Sequence, residues 1–169
     1  GPWGRELADA DIVLLATPVG EFPALLAAMP GTLAEGAVVT DGGSTKQDVV
    51  AAARAHLGAA LPRFVPAHPI AGTEQSGARA AFATLFEGRH AVLTPLPETD
   101  ATALARVRTL WEACGADVVT LDAPTHDRIL GAVSHLPHFL AAAYVAELAV
   151  RPESGELFHL AGSGFRDFT

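Results

Sequence analysis

At 169 residues, half of them hydrophobic, the chain is long and apolar enough to bury a core, which excludes intrinsic disorder. A formal net charge of -8 argues against a nucleic-acid partner, and the single cysteine, Cys114, excludes an internal disulfide and fits a reducing, cytoplasmic setting. No uninterrupted apolar run reaches the roughly 18 residues of a membrane span and no signal-peptide pattern opens the chain, so a soluble domain without a membrane partner is expected.

Gly1-Pro2 reads either as native sequence or as a processing remnant. The first apolar run, "DIVLLAT" from Asp11, is short, rich in Val, Ile and Leu, and bounded by turn residues, which predicts a buried strand. It closes on "ATPVGEF", residues 16 to 22, where Pro18 ends the strand and Gly20 permits a turn. A second run, "AVVTD" from Ala37, leads into "TDGGSTK", where Gly42 and Gly43 allow a tight turn or a close approach to a ligand. Ser44 then has two readings. It caps the following helix through Ser44-x-x-Gln47, or Thr45 is the cap and Ser44 faces a ligand.

A third run, "RFVPA" from Arg63, precedes "PAHPIAGTEQSG", residues 66 to 77, an irregular stretch that reads as a loop carrying His68. A lone histidine is more often structural. In this Gly-rich, polar setting, a neutral imidazole able to accept a proton is the favoured reading. Runs from Arg89 ("RHAVLTP") and Ala116 ("ADVVTL") complete five expected strands. Between them Leu104, Val107, Leu110 and Trp111 form a helical stripe with Gly115 as its C-cap. Strand and helix in alternation predict an α/β, mostly parallel sheet, with ligands at the strands' C-terminal ends. Cys114 is expected to be a buried, inert thiol.

The pattern changes after Asp122, which is placed to cap a helix with Pro124 in its first turn and Asp127 near its start. From Ile129 to Leu148 apolar residues go nearly all the way round, so this helix requires cover from other helices or a second subunit. Pro137 is expected to kink it beside His135 and His138. His126, His135 and His138 raise the question of a metal, but with no H-E-x-x-H string and no Cys pair the expectation is none. The last residues, "LAGSGFRDFT", read as a loop.

In this order, "ATPVG", "DGGSTK", "HPIAGTEQSG", "DAPTHDRILGAVSHLPHFLA" and "LAGSGFRDFT" resemble the prephenate dehydrogenase family (prephenate and arogenate dehydrogenases of tyrosine biosynthesis). The resemblance covers nearly the whole chain. It implies a partial doubly wound, Rossmann-like, mostly parallel sheet followed by the start of an all-helical dimerisation domain. The division is into 1–122, the C-terminal portion of a dinucleotide-binding domain, and 123–169, the N-terminal portion of a helical substrate and dimerisation domain. The implied activity is oxidative decarboxylation of prephenate to 4-hydroxyphenylpyruvate by a cytoplasmic homodimer, with NAD, or NADP, as cofactor. Arogenate as substrate, or a non-catalytic ligand-sensing module on the same fold, are the alternatives.

Residue by residue, His68 and Ser44 match the catalytic positions at the substrate hydroxyl. Ala16, Thr17 and Pro18 match the turn lining the cofactor. Thr73, Glu74, Asp127, His138 and Gly164 match positions of the substrate pocket, Glu74 and Asp127 as its gate, His138 at its entrance and Gly164 in a closing loop. The chain departs from the family in two places. It lacks the glycine-rich fingerprint upstream of Asp11, and it ends before the carboxylate-binding arginine that would follow Thr169 in an F-T-R string. As it stands the chain is expected to be incomplete and inactive by itself.

Overall fold

The computed structural model describes residues 6–72, 77 and 80–169. The chain forms two compact units, Gly1–Asp127 and Arg128–Thr169. Among the described residues the first holds six strands: β1 (Ile12–Leu15), β2 (Val38–Asp41), β3 (Phe64–Val65), β4 (Ala67–Pro69), β5 (His90–Leu93) and β6 (Asp117–Thr120). Helices α1 (Glu6–Asp9), α2 (Phe22–Ala27), α3 (Gln47–His56) and α4 (Ala101–Ala113) accompany them, and the unit boundary falls within α5 (Ala123–Leu130). β1, β2 and β3 run parallel, as do β5 and β6, while β4 pairs antiparallel with β5.

Successive strand residues point to opposite faces, and two cores result. Val13, Leu15, Val39 and Phe64 pack with Phe22 and Leu26 of α2 and Val49 and Ala53 of α3. Val38, Val65, Ala91 and Leu93 pack instead with Ala103, Val107 and Trp111 of α4. β2 is therefore buried on both faces, which is why Ala37, Val38 and Val39 read as consecutive apolar residues, while Thr40 and Asp41 are buried polar ones.

The third apolar run departs from expectation. Pro66 has no N–H for a ladder, and the run breaks there into β3 and β4, the second of which turns to pair antiparallel with β5. His68 consequently sits on a strand opposite Val92, not on a loop.

α4 follows its stripe closely, with Ala103, Val107 and Trp111 buried, and Asp100 caps it by accepting from Thr102 N at 2.8 Å and Ala103 N at 3.0 Å. Gly115 ends it at φ +83°, and a Cβ there would lie 2.9 Å from Glu87 Cγ and 3.2 Å from Glu87 Cα. Cys114, expected to be buried, is only half-buried. Asp122 caps α5 as expected, accepting from Thr125 N at 2.8 Å.

In the second unit a π-helical turn, Gly131–His135, leads into α6 (Leu136–Ala149), followed by α7 (Ser154–His159) and α8 (Ser163–Phe168). The expected distortion at Pro137 takes the form of this π-turn. The proline ring opposes the carbonyl four residues back, so the irregularity falls one turn earlier. α6 is apolar all round yet largely uncovered within the chain: Phe139 is 69% exposed, as is Val133 in the π-turn before it, and only Ala141 and Leu148 of α6 are buried. By length and composition alone the helix from Ala123 to Ala149 could cross a membrane, contrary to the expectation that no span is long and apolar enough; Gly131, Ser134, His135 and Pro137 interrupt its apolar run. The expected C-terminal loop is also corrected: Gly164 lies in α8, whose N-cap is Gly162 in extended conformation.

Gly115→Ala forces a Cβ into a left-handed backbone and against Glu87, and should destabilise the full-length protein by about 1–2 kcal/mol or more. Denaturant unfolding measures it, and an unchanged midpoint would contradict the cap.

Candidate functional site

The site begins where β2 ends. Asp41 is fully buried, and so is its ion-pair partner Lys46. One Asp41 oxygen, Oδ2, accepts from the Lys46 ammonium and from Gly43 N at 2.8 Å, while Oδ1 accepts from Ala67 N at 3.0 Å. Lys46 Nζ also donates to Ala67 O at 2.7 Å. Both backbone polar groups of Ala67 are thus held by the pair, and the next residue is His68. Burial pushes the Asp41 carboxyl up and the Lys46 ammonium down, each against the attraction of its partner. Gly43 is required here for space, since a Cβ would meet Asp41 Oδ2 and Val19 Cγ2 at 2.9 Å each.

The start of α3 carries neither expected cap. Ser44 is exposed, and the helix opens at Gln47 with Lys46 as its N-cap residue and no bond from that side chain to the helix amides. Its orphan N–H groups go to a residue 81 positions away in the chain: Asp127 Oδ1 accepts from Lys46 N at 2.8 Å and Oδ2 from Gln47 N at 2.9 Å. Gln47 Nε2 adds a further bond to Oδ2 at 3.2 Å. Capping from a distance leaves the Ser44 side chain without the helix-capping role that local spacing suggested.

Asp127 also meets His126, whose Nδ1 lies 2.8 Å from Oδ1. His126 is fully buried, and its Nε2 lies 2.9 Å from Nδ1 of His68. The two rings meet edge-on, centroids 5.1 Å apart. Burial raises the Asp127 carboxyl, but the hydrogen bonds from Gln47, His126 and Lys46 together outweigh it and hold the group below the ordinary carboxylate range. A carboxylate serving these donors stands behind His126.

Beside this cluster a cleft of about 590 Å³ opens at the C-terminal ends of β1, β2 and β4. Ala16, Thr17, Gly42, Pro69, Ala71 and Gly72 contribute to its wall, all small or compact enough for a flat ring to approach closely. Trp111 Nε1, a buried donor with no hydrogen-bond partner, belongs to a residue of the same wall. The position, the small lining residues and the orphan donor fit a nicotinamide-type cofactor. Pro18 lies just outside this lining, accepting from Glu21 N at 3.0 Å in a 3-10 turn.

Of the expected substrate residues, Thr73 and Glu74 lie outside the described residues. His138, exposed on α6, and Gly164, exposed on α8, belong to the second unit. Among the described residues no three His, Cys, Asp or Glu side chains gather as a metal-ligand group. The sequence reading missed Asp41 and Lys46 as functional residues and weighed His126 only as a metal ligand. Nothing in local spacing pairs His126 with His68, 58 positions away.

Residues 4–120 match the family profile described as prephenate dehydrogenase, nucleotide-binding domain, and residues 122–169 the one described as prephenate dehydrogenase, dimerization domain. The cyclohexadienyl dehydrogenase of Zymomonas mobilis is 34% identical over 163 residues, covering 95% of this chain and 55% of that protein. The prephenate dehydrogenase of Lactococcus lactis is 36% identical over 163 residues, covering 95% of this chain and 44% of that protein. A crystal structure of prephenate dehydrogenase from Aquifex aeolicus, in complex with hydroxyphenyl propionate and NAD+, superposes with a TM-score of 0.86 at 39% identity. That match covers 99% of this chain and 59% of the other. The chain spans about half the length of the curated relatives it matches.

Lys46→Met leaves Asp41 buried without its partner and should cost about 3–5 kcal/mol in denaturant unfolding of the full-length protein, much of it regained by adding Asp41→Asn. A single variant as stable as its parent would contradict the clamp. Asp127 has a folded pKa below its ordinary 3.8, so its contribution is complete above that value and fades as pH falls through the lower, folded one. Asp127→Asn should therefore lower the melting temperature at neutral pH and converge on the parent in acid. A gap that persists unchanged into acid would contradict this.

Proposed function

The chain belongs to the prephenate dehydrogenase family, and from that premise we propose that the full-length protein converts prephenate to 4-hydroxyphenylpyruvate, with hydride transfer to NAD+, in tyrosine biosynthesis. The observation that carries the proposal is His68: its Nδ1 is engaged by His126, and its neighbour Pro69 lines the cleft at the sheet edge. Bound NAD+ supplies the acceptor for the hydride that leaves C4 of the substrate. The C–C bond to the ring carboxylate breaks, CO2 departs, and its electron pair completes the aromatic ring. No net proton is gained or lost. Aromatisation drives the reaction, so the protein's task is alignment and control of one hydroxyl proton.

His68 holds that proton through Nε2 as the hydride leaves and returns it to the phenolic oxygen. Ser44 contacts the same hydroxyl and orients the ring. Ala16, Thr17 and Pro18 are assigned to the nicotinamide side, and Thr73, Glu74, His138 and Gly164 are each assigned to the substrate on the family resemblance. Asp127 acts from behind His126. NAD is the favoured cofactor because a similar structure is described in complex with NAD+.

Residues 1–122 are assigned to the nucleotide-binding domain and 123–169 to the helical one. The apolar surface of α6, with Leu136, Phe139, Leu140 and Tyr144 exposed, is assigned to a homodimer. A match to a dimerization-domain profile favours that cover over a lipid bilayer. The protein is assigned to the cytoplasm, the compartment that the single cysteine suits.

His68→Asn in the full-length protein should reduce NADH formation from prephenate by about 10²–10⁴-fold, the usual share of a positioned base. NAD+ affinity, read by titration calorimetry, should stay near the parent value. An unchanged rate would remove His68 from the reaction.

A further inference from the structure

We propose that Asp127 and His126 are positioning residues that fix the tautomer of His68, placing its proton on Nδ1 and its lone pair on Nε2, the nitrogen assigned to the substrate hydroxyl. This deepens the proposed function and rests on it for the role of Nε2.

An ionised carboxylate only accepts, so with Asp127 Oδ1 2.8 Å away His126 Nδ1 must carry its proton. The other nitrogen of a neutral His126 is then an acceptor. His68 Nδ1, 2.9 Å from that nitrogen, must donate to it, and in a neutral His68 the lone pair falls on Nε2. A buried carboxylate sets the tautomer of a catalytic histidine elsewhere by the same logic, here extended through one more ring.

When His68 takes the substrate proton it becomes a cation with Nδ1–H still directed at His126, and the chain polarises toward Asp127 without moving a heavy atom. Returning the proton to the product resets it. Among the described residues, the nearby charged groups Asp41 and Lys46 are paired with one another, and Asp127, reached through His126, is a charge that favours protonated His68. It also holds the first amides of α3, whose Lys46 side chain grips Ala67, so a single carboxylate governs both the ring's tautomer and the helix end beneath it.

Two measurements on the full-length protein test the proposal. Imidazole 15N signals of His68 in the unmodified protein should place the proton on Nδ1; a proton on Nε2 overturns it. This reading needs no variant and holds or fails whether or not His68→Asn disturbs turnover, so the tautomer and the base role are separable. In the second, His126→Phe should lower kcat for prephenate by at least about tenfold, within the general-base contribution of about 10²–10⁴. The acid limb of its pH profile should move to lower pH, because His68 loses the partner that favours its protonated form. His126→Gln, whose amide oxygen can accept from Nδ1–H, should recover most of the rate and restore the limb. A slower His126→Phe variant with its limb unmoved would reduce His126 to packing and overturn the proposal.

Discussion

The buried pair of Asp41 and Lys46 is the constraint on which the rest of the site depends. Two charges taken wholly out of water are costly unless their remaining hydrogen-bonding capacity is met, and here it is met by backbone. Gly43 N and Ala67 N donate to Asp41, and Ala67 O accepts from Lys46. The pair therefore ties the end of β2 to the start of β4 across the break at Pro66, where the ladder has no donor to offer. That tie sets the backbone immediately before His68. It also explains Gly43, whose missing Cβ leaves room for the Asp41 carboxylate itself.

Asp127 adds a second, orthogonal constraint. Its oxygens answer the open amides of α3 and the ring of His126, so the helix that supplies Lys46 and the histidine that contacts His68 share one anchor. The Lys46 clamp holds the backbone before His68, and the His126 contact holds the ring. A histidine fixed in both respects pays little reorganisation cost when a proton arrives, which is the condition under which a modest base contributes most.

Much of this fold is legible in the sequence because its signals are local. Double burial writes Ala37 to Val39 as consecutive apolar residues, the α4 stripe follows helical spacing, and Asp122 and Gly115 mark helix ends, the first through its side chain and the second through its backbone. The misses have one physical cause. The cap of α3 lies 81 positions away, so the local Ser44-x-x-Gln47 pattern pointed to the wrong residue. The turn of β4 against β5 is a tertiary choice, of which Pro66 gives only the location. His126 looked like one of three scattered histidines because its partner is close in space, not in sequence. Gly164 sits in a short helix that a glycine-rich string does not advertise. The apolar circumference of α6 was readable, but the spacing of its residues does not say what covers it.

The proposed chemistry is a hydride transfer coupled to loss of CO2, and the decisive measurement gives the full-length protein prephenate and NAD+ and follows NADH and CO2 together, with arogenate in parallel. NADH and CO2 are expected in equal amounts from prephenate, with 4-hydroxyphenylpyruvate as the third product. Silence with both substrates, under NAD+ and NADP+ alike, would contradict it and leave the His68 cluster serving some other chemistry.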